Sequence, residues 1–289
     1  MTAVDAAGGL PGPVELFSRA TRLYRERWRT VFQIMALGLA ATLASYFMAV
    51  VLGVVSLRLA PRAVWEALTL ACVFGAVFSL LVFAWSQAAM IMAIMAPEPS
   101  PAAECLEASW SKTPGFIWVC ALLLAASTGG LFLGVLPGIL AAMTFGFAPF
   151  IQLTEGIGGL DALLKSAHYV RAQPWRVGGQ LAVVSAAGSL PAVVPLAGPL
   201  LIQVLGLPFV CMSLAVLLCE LRRLRGGEPF VPSWRGRLFF ALCAAGLLVP
   251  AALLPRALAW FSYRLHAPGA GFGLPGLLPM SLPAPRGRA

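Results

Sequence analysis

Long apolar runs with almost no charge alternate along this chain with short segments that carry most of its charge. The runs fall at about 31–57, from between Val64 and Leu70 to 96, 116–136, 139–154, 175–194 and 200–219, and one more occupies 238–254. Apolar residues are continuous within each run. Such runs read as helices, which satisfy their own backbone groups in lipid. A transmembrane barrel would alternate apolar and polar positions over segments of about ten residues. Pro137-Gly138 joins the third run to the fourth, and Pro195, Gly198 and Pro199 join the fifth to the sixth. Proline fixes φ and glycine permits the reversal, so both sites predict tight turns.

Between the runs the period changes. Over 14–29, Val14, Phe17, Thr21, Tyr24 and Trp28 share one helical face, and Arg19, Arg22, Glu26 and Arg29 share another. Over 160–172, Leu160, Leu163, Leu164, Ala167 and Val170 oppose Asp161, Lys165, His168 and Arg171. A shorter helix is expected over 102–113. All three read as interfacial helices with charges toward headgroups. They also align with one another: Glu104, Leu106, Ser109 and Trp118 match Asp161, Leu163, Ser166 and Trp175 at one constant spacing, and Phe17, Ala20, Trp28 and Arg29 match Leu164, Ala167, Trp175 and Arg176 at another. Each unit runs interfacial helix, tryptophan, span, turn, span.

The pattern predicts an all-α, polytopic transmembrane helix bundle. Six core spans form three hairpins over 14–225, each preceded by a cytoplasmic interfacial helix. The segment 226–264 adds an apolar run for which a seventh span is favoured over a re-entrant loop. Residues 1–13 and 265–289 are rich in Gly, Ala and Pro and are expected to be disordered. The first run is read as a span, not as a signal peptide.

Composition agrees with the class. Hydrophobic residues make up 60% and charged residues 11% of the 289, against about 45–50% and about 25% in soluble domains. The net charge of +9 is read as topology and headgroup contact, with no nucleic-acid partner, because the arginines cluster beside apolar runs. The inner segments carry most of the basic residues, which places the N-terminus and the interfacial helices in the cytoplasm. Lys112 and Lys165 are the only lysines, and that bias, with abundant Ala, Gly and Leu, points to a bacterial cytoplasmic membrane. The six cysteines form no CxxC pair and are read as packing residues.

The stretch from Gly134 to Arg176 carries a resemblance. Leu136-Pro137-Gly138 precedes the fourth run, Glu155-Gly156 follows it, and Ala162-Leu163, Ser166, Val170-Arg171 and Trp175-Arg176 come next. With Ala20, Leu23, Tyr24 and Trp28 near the N-terminus, these resemble the bacterial and archaeal family that includes the membrane domain of certain glycerophosphoryl diester phosphodiesterases and the YciC-like inner-membrane proteins. The resemblance implies a compact bundle of about six helices and no established chemistry. It is clearest over 115–195. The run after Leu238 departs from the six-span pattern.

No nucleophile elbow, zinc-protease, P-loop or dinucleotide fingerprint occurs. No catalytic, cofactor-binding or metal residue is assigned, no cofactor is expected, and an enzyme acting on lipid headgroups ranks last among the readings. The polar positions of interest are Glu155, Asp161, Ser166, Arg171, Trp175, Arg176, Gln87 and Gln203. Glu155 closes the fourth run beside a glycine turn. It is read as a boundary carboxylate that caps or pins that turn to the interfacial helix, and alternatively as a proton or cation site with Arg171 or Arg176 as partner. Glu220 is expected to pair with Arg222 and Arg223. Gln87 and Gln203 lie deep in their runs, where polar glue between helices is the usual role. The leading reading is a non-enzymatic membrane protein acting through contacts with membrane lipids, other membrane proteins or a second copy of itself. The alternative is a small transporter or lipid-handling protein with a polar path past Glu155, Gln87 and Gln203.

Overall fold

A computed structural model of the chain describes residues 10–59, 64–195, 198–225, 228–250, 252–256 and 259. The elements are α1 (Pro13–Leu59), α2 (Val64–Met95), α3 (Ala102–Trp110), α4 (Thr113–Leu133), α5 (Val135–Phe145), α6 (Ala148–Glu155), α7 (Gly159–Val170), α8 (Pro174–Ser189), α9 (Gly198–Leu201), α10 (Leu207–Arg225) and α11 (Trp234–Ala245). A 3-10 turn, Leu190–Val193, follows α8, and a π-helical turn, Ile202–Gly206, joins α9 to α10. There is no strand among the described residues. Six helical stretches in them are long and apolar enough to cross a membrane: 13–55, 68–95, 113–133, 135–155, 202–225 and 234–256. The chain is an all-α, polytopic membrane bundle.

These six are not the six core spans expected. The run over 175–194 forms only the 16 residues of α8 and the short 3-10 turn, because Pro191 and Pro195 interrupt it. The C-terminal run, in contrast, reaches the length of a span over 234–256.

The N-terminal unit also differs from the pattern. The amphipathic segment 14–29 is no separate interfacial helix, since α1 runs unbroken for 47 residues. Such a helix is about 70 Å long, more than twice the roughly 30 Å hydrocarbon core. No Gly or Pro separates the segment from the first run, so nothing ends the helix between them. Its first turns cross α10 steeply. Phe17 stacks on Phe209 with ring centroids 5.5 Å apart, while Arg19 binds Glu220 at 2.6 Å. Phe209 and Glu220 lie about 16 Å apart along α10, so neighbouring α1 residues reach distant levels of that helix. Order begins before Val14: Leu10 is buried, and the Pro11 carbonyl accepts from Gln180 Nε2 at 2.5 Å. Residues 1–9 and the tail 265–289 lie outside the described residues.

The core forms where the C-terminal half of α2 meets α1, α6, α7 and α10, around Ile34, Met90, Ile151, Met212 and Leu218. Away from it, the α1–α2 hairpin exposes Leu43, Phe47, Phe74 and Leu80, as expected for faces solvated by lipid. Ser45 and Ser79 hydroxyls meet 2.5 Å apart between its arms. A smaller cluster packs α4, α5, α7 and α11 around Phe145, Leu163 and Cys243. There α4 and α11 approach at backbone contact: a Cβ on Gly129 would land on the Cys243 carbonyl, and one on Gly246 on the Gly129 carbonyl. Small residues permit such close crossings in membranes.

The fourth run is broken at Gly146 and Phe147, which separate α5 from α6. Ser166, fully buried on α7, repairs the break. Its hydroxyl donates to the Thr144 carbonyl at 2.7 Å and accepts from the Phe147 amide at 3.2 Å. Backbone groups freed inside a bilayer need such partners.

The positions matched between units share environments. Ser109 and Ser166 are both fully buried, and Ala20 and Ala167 are buried too. The tryptophans Trp28, Trp118 and Trp175 all face outward, with Trp175 the most exposed at 87%. Ser109 does not repeat the bridging role; among the described residues its hydroxyl donates only to Leu106 O, three residues back.

Candidate functional site

Charged side chains gather at one end of the bundle, where α6 ends, α7 lies across, and α10 ends. The α6 terminus is built by its sequence. Gly156 follows Glu155 with φ +70°, and its amide returns to Gln152 O at 3.1 Å. That left-handed position favours glycine and closes the helix. The carbonyls left over at the terminus attract cations: Lys112 Nζ donates to Leu153 O at 3.0 Å.

Glu155 is the hub of this end. Arg222 Nη2 of α10 lies 2.7 Å from Glu155 Oε1, and Lys165 of α7 binds Glu155 Oε2. Tyr169 Oη donates to the same carboxylate at 3.4 Å, and Arg222 also donates to Thr154 Oγ1 at 2.5 Å. Its side chain keeps 19% of its exposure. Three elements are therefore joined through one carboxylate that takes two cations. The expected partners, Arg171 and Arg176, are not the ones used. Arg171 donates to Ser233 Oγ at 3.0 Å, and Arg176 is exposed. Lys165 sits on α7 at the position that returns over the α6 terminus, and Arg222 arrives from α10, which sequence spacing does not bring near.

A second ion pair ties α1 to α10. Glu220 binds Arg19 at 2.6 Å and Arg223 at 3.4 Å. The expected Arg222–Glu220 pair is not made, because Arg222 points to Glu155. Arg27 is a buried cation that the sequence reading did not single out. It donates to the carbonyls of Ala93 and, at 2.7 Å, of Ala96, closing the C-terminus of α2. The signal was available in the proline-rich break at 97–101, which strands the last carbonyls of the second run.

The segment after α10 folds over the polar face of α7. Arg225 donates to His168 O at 2.9 Å, Phe230 packs edge-on to the His168 ring at 6.0 Å, and Glu228 lies 3.8 Å from His168 Nε2. Burial, then the charge of Arg225, hold the His168 imidazole below its usual range.

The remaining expected positions do not converge here. Asp161 is exposed in the first turn of α7, where a carboxylate favours the helix N-terminus. Gln87 is buried on α2, its Nε2 3.7 Å from Met35 Sδ. Gln203 lies half-buried on the π-helical turn. One cavity of about 310 Å³ lies between α1, α8 and the π-helical turn, and another of about 360 Å³ lies between α1, α2 and α10. Neither is lined by Gln87, Gln203 or Glu155. No group of three or more His, Cys, Asp or Glu side chains converges among the described residues, and the six cysteines are free thiols.

The fold and the charged end define a multi-pass helical membrane protein. The chain matches no family model, no curated protein and no solved structure.

Proposed function

We infer that this is a non-enzymatic protein of a bacterial cytoplasmic membrane, N-terminus inside, that works through contacts with lipids or other membrane proteins. The observation that carries the reading is the use made of its ionisable groups. Glu155, Lys165 and Arg222, with Arg19 and Glu220, join helices to one another, so the charged end acts as a clasp that sets the bundle at headgroup level. Exposed tryptophans at that end favour the interface, where their amphipathic rings sit well. The resemblance to the phosphodiesterase-associated membrane domains and YciC-like proteins supports the same reading, since it implies a bundle without assigned chemistry.

The test is reconstitution into vesicles of bacterial lipid. Headgroup release and the flux of protons or trapped solutes should stay at the level of empty vesicles, while a phospholipid with a photoreactive headgroup labels α1 and α7. Protein-dependent flux that Gln87→Leu or Gln203→Leu abolishes would favour the transporter reading. Headgroup release would establish an enzyme.

A further inference from the structure

We propose that the cavity between the crossing segment of α1, the end of α2 and α10 binds one phospholipid with a primary-amine headgroup. The proposal rests on the lipid-contact reading above and gives it a site and a lipid class.

The cavity holds about 360 Å³, within the range of about 300–1,000 Å³ typical of small-molecule sites. Leu23, Met95 and Val216 give it an apolar wall, and Arg19, Arg22, Glu26 and Glu220 give it a charged one. That division suits a molecule with an acyl end and a polar end. It lies where α1 crosses α10 beside the closed terminus of α2, at the charged end of the bundle.

The charges are not equivalent. Arg19 and Glu220 bind each other at 2.6 Å, and each has a further partner, Glu15 and Arg223 respectively. Arg22 and Glu26 form no ion pair among the described residues. They sit one turn apart on the same helix, in the order Arg then Glu, the weaker orientation for an i,i+4 pair. The mouth therefore presents one guanidinium and one carboxylate, side by side and unspent. A phosphodiester matches the guanidinium, with paired N–H donors to two oxygens. A primary ammonium on the same headgroup matches the carboxylate as a hydrogen-bond donor. A glycerol headgroup lacks that cation. A trimethylated one lacks the N–H donors.

Native mass spectrometry of the full chain in detergent tests the site with phosphatidylethanolamine, phosphatidylglycerol and phosphatidylcholine, and with glycerophosphoethanolamine as the headgroup without acyl chains. Phosphatidylethanolamine should be retained best, and the chainless headgroup should be lost. Arg22→Ala should weaken that lipid by about tenfold, the size of a lost charge-assisted hydrogen bond. Glu26→Gln should remove the preference for phosphatidylethanolamine over phosphatidylglycerol and leave phosphatidylglycerol binding in place. Both residues are exposed, so unchanged elution on size exclusion should show that the variants remain folded. Equal retention of the three lipids, or variants that bind as the parent does, would overturn the site and leave the lipid-contact reading standing. Retention of the chainless headgroup as strongly as the lipid would overturn the lipid assignment. Flux or headgroup release in the vesicle experiment would instead sink the reading underneath.

Discussion

Arg222 of α10 reaches Glu155 at the end of α6, its Nη2 2.7 Å from the carboxylate oxygen. Lys165 of α7 takes the other oxygen, so one acid fastens α7 and α10 to the end of α6. Removing the charge leaves two partly buried cations facing each other. Glu155→Gln should cost about 1–3 kcal/mol, the range for a polar group deprived of its partner. Arg171→Ala, which loses only an exposed bond to Ser233, should stay within about 0.5 kcal/mol. Thermal unfolding in detergent compares the two, and equal effects would show that Glu155 is not the hub.

Ser166 is the only side chain described at the α5–α6 break that bonds both freed backbone groups. Ser166→Ala leaves the Thr144 carbonyl and the Phe147 amide unpaired in an apolar interior and should destabilise by about 1–3 kcal/mol. Ser109→Ala, at the matching position of the preceding unit, removes only a bond to the carbonyl three residues back and should cost clearly less. A larger loss at Ser109 would contradict these roles.

The crossing of α4 and α11 leaves no room for a side chain at Gly129 or Gly246. Gly129→Leu should push α11 away and speed tryptic cleavage after Arg235 and Arg237, in its first turn, while the rest of the bundle persists. Limited proteolysis followed by mass spectrometry reads this directly, and parent-like resistance would show that α11 is not held there.

His168 makes acid unfavourable. Lys165, Arg171, Arg225 and Glu228 surround it, and burial with Arg225 outweighs the opposite pull of Glu228. The folded chain thus binds this proton less readily than the unfolded chain. Well above the usual value of 6.5 both forms are neutral and the group contributes no slope. As pH falls below it, the unfolded chain protonates first and stability drops, levelling off once the folded imidazole is charged. The melting temperature should start to fall as pH drops toward 6.5 and go on falling below it, and His168→Asn should flatten part of that fall. An unchanged slope would assign the effect to other groups.

The topology has its own check. Arg222 of α10 binds Glu155 at the end of α6, so both helices end at one level and α8 with its 3-10 turn has to return the chain across the bundle. Cysteines introduced at Gly158, between α6 and α7, and at Val194, after α8, should therefore lie on opposite sides. A membrane-impermeant thiol reagent added to right-side-out vesicles should reach Val194→Cys and not Gly158→Cys. Labelling of both from one side would overturn the expected arrangement.

Much of the fold was legible in the apolar runs, because a helix that crosses lipid must bury every backbone group within itself and so writes a continuous stretch of sequence. Membrane class, helical architecture and the glycine turn after Glu155 all follow from local pattern. The sequence also pointed to Glu155 as a boundary carboxylate. It did not supply the partners. Lys165 and Arg222 replace the expected Arg171 and Arg176, because a long charged side chain pairs with whatever packing brings near, and α10 reaches α6 only through tertiary contact. Tertiary structure alone made the amphipathic segment 14–29 continuous with the first span, assigned Ser166 to the α5–α6 break, and buried Arg27 against the end of α2. Each depends on where two distant segments touch. A pattern of apolar positions fixes which residues leave water, whereas side-chain reach and helix crossings decide which polar groups meet.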